Sequence, residues 1–104
     1  MLTNCVLVGT VKETPVVETS SKGNTYAHLV MECEKPYAGA DGVIARDQFH
    51  ITLWRGMAEE CAAACRVGSV IAIKGRLEAH AYEKDERTIW ITDIIAEKFR
   101  LITR

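Results

Sequence analysis

The 104-residue chain has two prolines, four cysteines, an aromatic share of 7% and a formal charge of only −1. No apolar run approaches the roughly 20 residues that a membrane-spanning helix requires. Each shortage excludes something. The near-neutral charge excludes the strongly basic surface by which many nucleic-acid-binding domains are recognised, so any such site must come from local arrangement. The opening "MLTNCVLVGT" has neither a basic n-region nor a cleavage site and goes straight into strand-like alternation, unlike a signal peptide. The expected location is therefore the cytoplasm, and in that compartment Cys5, Cys33, Cys61 and Cys65 are expected to be reduced and buried rather than bridged.

What is present is ordinary for a globular protein, at 48% hydrophobic and 26% charged residues. The length predicts one domain over residues 1–104, burying about two-thirds of its unfolded surface. Residues 4–12 read as a strand with a bulge or bend at Gly9, and the Pro15 that follows suits a strand edge or entry. Residues 25–34 alternate cleanly, with Ala27, Leu29, Met31 and Cys33 on one face and Tyr26, His28, Val30 and Glu32 on the other. "EKPYAGADGVIAR" reads as a long hairpin tip. In the next strand Phe49, Ile51 and Leu53 form the core set, so Gln48, His50, Thr52 and Trp54 point outward.

Residues 56–66 are an alanine-rich helix with Met57, Cys61, Ala64 and Cys65 on one side, stopped by Gly68. Residues 69–82 form a strand bent at Gly75, with Leu77, Ala79 and Ala81 opposite Arg76, Glu78, His80 and Tyr82. "EKDER" is a charged turn, and "TIWITDIIAEKFRLI" supplies the last strand, on which Trp90 reads as structural. The order is three strands, one helix and two strands. It predicts an all-β chain with one helix: a five-stranded Greek-key barrel of the oligonucleotide-binding type, with its helix between strands three and four.

Three large rings take outward or loop positions: Tyr37, Trp54 and Tyr82. Exposed rings are the platforms on which single-stranded bases stack without reading sequence, each worth about 1–3 kcal/mol per base. Lys35, Arg46, Arg55, Arg76 and Lys84 lie near them in sequence and are the candidates for phosphate contact, with His50 on the same face as Trp54. Cys61 and Cys65 at i, i+4 lack two further zinc ligands at a recognised spacing, and no nucleophile–base pair or glycine-rich phosphate loop is present. Neither a metal, a cofactor nor an enzymatic activity is expected.

The stretches "MLTNCVLVGTVKETPVVETSSKGNTYAHLVMECE", "ITLWRGMAEECA", "VGSVIAIKGRLEAHAY" and "TDIIAEKF" occur in that order. Together they resemble bacterial single-stranded DNA-binding proteins over essentially the whole chain. The resemblance implies base stacking on Tyr37, Trp54 and Tyr82, a homotetramer built from dimers, and a nucleoid-associated role in DNA replication, recombination or repair. Two departures bear on affinity. Gln48 stands where the family usually has a ring, and Glu78 and His80 stand where it has arginine or lysine, so binding weaker than the family norm is expected. The family's long tail with an acidic tip has no counterpart after "RLITR", so recruitment of partners through such a tail is not expected. Two other readings stay open: a primosomal replication protein of the B type, which shares the fold, and an interaction barrel with weak or no DNA binding.

Overall fold

A computed structural model describes all of residues 1–104. It contains strands β1 (Asn4–Thr19), β2 (Thr25–Glu34) and β3 (Arg46–Trp54), helix α1 (Gly56–Ala64), and strands β4 (Val70–Lys84) and β5 (Arg87–Thr103). The strands close into a barrel in the order β1-β2-β3-β5-β4. All neighbours are antiparallel except β3 and β5, which meet in a short parallel contact at Ile51–Ile94 and Thr52–Ile95. This is the predicted five-stranded barrel, with its helix between β3 and β4.

Alternation places the core as expected on β2 and β3. Ala27, Leu29, Met31, Ile51 and Leu53 are fully buried together with Val11, Ile71 and Ile73, while Phe49 and Cys33 are half-buried at the margin. The helix plugs one end of this core through Ala58 and Cys61, with Met57 and Ala64 half-buried beside them. It is shorter than its alanine content predicts. The helix ends at Ala64, Cys65 is already extended though buried, and Gly68 (φ 93°) serves the turn into β4 instead of stopping the helix.

The largest difference from expectation is β1. It does not end near Lys12 but continues to Thr19, bending through register shifts on either side of Glu13. Pro15, which has no N–H to give a ladder, sits within this irregular stretch. The bend lets one strand serve two neighbours: residues 4–10 pair with β4, and the second half pairs with β2. Where the strand changes partner the backbones come very close. A Cβ at Gly9 would overlap the carbonyl oxygen of Glu32 and lie 2.8 Å from Cys33 Sγ, and one at Gly75 would lie 2.5 Å from the carbonyl oxygen of Ile95. Gly9→Ala is therefore expected to destabilise the fold by about 1–3 kcal/mol or more, because backbone, not a side-chain tip, must give way. Thermal unfolding followed by circular dichroism checks this, and an unchanged midpoint would contradict the close crossing.

Beyond the barrel, β4 and β5 run on as a two-stranded hairpin to a turn at Asp85 and Glu86. Both turn residues have positive φ (52° and 62°), as a tight hairpin turn demands. The radius of gyration, 15.3 Å, exceeds the roughly 13 Å of a compact chain of this length. The projecting hairpin accounts for the excess.

Candidate nucleic-acid interface

Because β3 is read correctly as inward at Phe49, Ile51 and Leu53, Trp54 leaves the barrel outward and is 41% exposed. The β2–β3 register sets Tyr26 directly opposite Trp54 and His28 opposite Thr52. The Tyr26 and Trp54 rings lie 5.4 Å apart at 44°, and His28 meets Tyr26 edge-on at 5.5 Å. Such a cross-strand pair holds the indole at a fixed tilt. On its other side Tyr26 faces Glu18 of β1, and a hydrogen bond to that carboxylate raises the phenol's pKa above its ordinary value. Tyr26 was not singled out in the sequence, although its parity with His28 and the hairpin register suffice to find it.

Trp54 opens onto a cavity of about 390 Å³ lined by Asn24, Trp54, Arg55, Arg76, Ile95 and Ala96. Three residues that the sequence analysis put forward from separate places, Trp54, Arg55 and Arg76, are thus brought to one concavity. The other two rings stand apart from it. Tyr37 is 64% exposed in the β2–β3 hairpin tip, and Tyr82 is 43% exposed far along the β4–β5 hairpin. His50 lies exposed on the outer face of β3 opposite Val30.

One expectation fails. Trp90 is not a structural support but 68% exposed, paired with Ala81 on the projecting hairpin. It shares a face with Leu77, Ala79 and Ala81, the face that continues the core side of β4. That face outruns the barrel, so nothing in the chain covers it.

The cations divide into two groups. Lys35 donates to Asp47 at 2.6 Å, which raises the pKa of its ammonium. Arg46 lies between Glu32 (3.5 Å) and Glu34 (3.8 Å). Glu32 is also held by Lys12 at 3.1 Å, and this hydrogen bond is the main cause of its lowered pKa. Arg76 holds Glu78 at 2.9 Å and reaches Glu97 at 3.7 Å. Arg55 and Lys84 make no ion pair. Next along the outer face of β4, His80 Nε2 lies 3.2 Å from Asp93 and 3.7 Å from Glu78. Phosphates would therefore have to compete with carboxylates at three of the five expected cations, a cost that composition cannot reveal.

All four cysteines are free thiols, Cys5 and Cys33 being only half-buried where full burial was expected. Cys61 and Cys65 Sγ lie 3.7 Å apart, and burial, then the neighbouring Cys65, push the Cys61 thiol up to about 12. No three His, Cys, Asp or Glu side chains are placed to hold a metal ion. Replacing Cys61 and Cys65 together with alanine is expected to leave DNA affinity unaltered, since both lie in the core away from Trp54. Competition titration of the double variant checks this, and stoichiometric zinc in protein purified without added metal would contradict it.

Residues 2–102 match the model of the single-strand binding protein family. The chain is 30% identical over 103 residues to single-stranded DNA-binding protein B of Bacillus subtilis (strain 168), covering 98% of this chain and 91% of that one. It is 26% identical to a single-stranded DNA-binding protein of Halalkalibacterium halodurans and 25% identical to one of Enterococcus faecalis, of which it spans 61% and 55%. Among solved structures, the small single-stranded DNA-binding protein of Streptomyces coelicolor superposes with a TM-score of 0.70 at 19% identity, over 94% of this chain and 92% of that one, a likeness of fold.

Proposed function

The chain belongs to the single-strand binding protein family, and from that membership we propose that it binds single-stranded DNA in replication, recombination or repair. The observation that carries the reading is the placement of Trp54: a half-exposed indole, fixed by Tyr26, beside Arg55 and Arg76 at one cavity. An aromatic face takes any base, and neighbouring guanidinium groups can follow the backbone, so the chemistry is sequence-tolerant stacking with cationic tracking. Tyr37 and Tyr82 extend the path as outlying platforms. Lys35, Arg46, Arg55, Arg76 and Lys84 supply its cations, and His50 lies along the β3 segment between them. No step of bond-making enters the mechanism.

Homo-oligomerisation belongs to the same proposal, with a tetramer as the favoured state. Residues 4–9 of β1 pair with β4 on one side and with no strand on the other, and Val6 and Val8 are exposed on the strand's outer face. An open edge carrying exposed valines is the kind of surface that a second copy covers. Sedimentation analysis tests it, and a concentration-independent monomer would contradict it. No helix is long and apolar enough to cross a membrane, and we place the protein's work on the nucleoid in the cytoplasm. The binding reading is tested by fluorescence anisotropy with labelled (dT) oligonucleotide against competitor DNA. Single strands should displace the probe at far lower concentration than the equivalent duplex. Equal competition by both, or no binding, would contradict the reading.

A further inference from the structure

Arg55 is the one non-glycine residue outside a hairpin turn with positive φ, at φ 57° and ψ −135°. This mirrors the extended conformation and is a region that glycine alone occupies without strain. The backbone is held there from both ends. Its N–H donates to the Thr25 carbonyl at 2.7 Å, and its carbonyl accepts from the Ala58 N–H at 3.0 Å. The result is to place a guanidinium that makes no ion pair at the wall of the Trp54 cavity.

Across the cavity Arg76 is committed to Glu78 and Glu97. Two arginines and two carboxylates leave the locality without net charge, which suits a neutral planar group with a polar edge better than a free phosphate. Trp54 supplies the stacking face. Among the four bases, guanine presents two acceptors, O6 and N7, on the edge that an arginine fork reads bidentately. Its N1–H and N2–H₂ donors lie on the adjoining edge, where the carboxylates held against Arg76 can accept. We propose that this cavity takes one guanine of the bound strand in preference to the other bases, stacked on Trp54 and read at O6 and N7 by Arg55. The proposal rests on the single-stranded DNA binding proposed above and adds a base preference to it at one position.

The test is a set of tryptophan-quenching titrations with short dT oligonucleotides that carry one central dG, dA, dC or 7-deaza-dG, beside the all-dT strand. Wild-type protein should bind the dG strand about fivefold more tightly than all-dT, the lower end of what one bidentate pair confers. The 7-deaza strand, which lacks the N7 acceptor, should lose that gain. Arg55→Lys keeps the charge but lacks the fork, so all-dT affinity and salt dependence should persist while the preference for dG disappears. Arg55→Gly should lose the preference and raise the melting temperature, because the backbone strain is relieved. If wild type binds all-dT normally and every strand equally, the guanine assignment falls while single-stranded DNA binding stands. A gain that survives in 7-deaza-dG or in Arg55→Lys would assign the preference to stacking and overturn the role of Arg55. Failure to bind any strand would overturn both this inference and the function it rests on.

Discussion

Trp54→Ala is expected to weaken binding to poly(dT) by about 1–3 kcal/mol, the worth of one base on one aromatic platform. The barrel should survive the change. Trp54 is 41% exposed and lies opposite the buried face of β3, so the variant forfeits its edge contact with Tyr26, worth about 0.5–1.5 kcal/mol, and no core volume. Trp54→Phe should restore much of the affinity because the ring face is kept. An alanine variant that melts earlier yet binds as tightly as wild type would assign Trp54 to structure and remove it from the DNA path.

The second large effect is expected from Glu78→Arg combined with His80→Arg. Glu78 now holds Arg76 at 2.9 Å, so replacing it both adds a cation and releases one. With His80→Arg the strand face gains between two and three groups free to meet phosphate. Each contact changes the slope of log K against log[salt] by roughly −0.7 on a single strand, so the total change lies between about −1.4 and −2.1. Asp93 remains opposite position 78 and beside position 80, which favours the smaller figure. Affinity at low salt should rise accordingly. Coincident slopes for variant and wild type would show that this face of β4 is not where the backbone runs.

The fold was largely legible because its signals are local. Strict alternation over residues 25–34 and 48–54 identified the inward sets, and the run from Gly56 could be read as a helix from propensity alone. The orientation of Trp54 follows from the same parity. What alternation cannot convey is how far a strand travels relative to the barrel it helps to close. Trp90 obeys core parity, yet it sits on a hairpin that outruns the core, so parity and burial part company there. For the same reason Pro15 resembled the end of a strand, when the bend around it is what lets β1 pair with both β2 and β4.

The site was legible only in its components. The sequence identified Trp54, Arg55 and Arg76 as candidates but could not bring them together, since Arg76 reaches Trp54 through the pairing of β5 with both β3 and β4. Nor could it show that Lys35, Arg46 and Arg76 are occupied by Asp47, Glu32, Glu34, Glu78 and Glu97. Those pairings depend on register and on contacts between distant segments. Tyr26 was overlooked because a tyrosine in an alternating strand has no mark of its own until the opposite residue is known to be Trp54.

The most direct test of the account uses Trp90→Phe, a change on the exposed hairpin that leaves Trp54 as the only indole. Titrating this variant with poly(dT) at low salt makes the intrinsic fluorescence report Trp54 alone. The account predicts saturable quenching, since a base stacked on the indole quenches it, and reversal of that quenching as salt is raised, since the cations beside it release the backbone. DNA binding detected by anisotropy without any change in this fluorescence would place the strand elsewhere on the barrel and contradict the site.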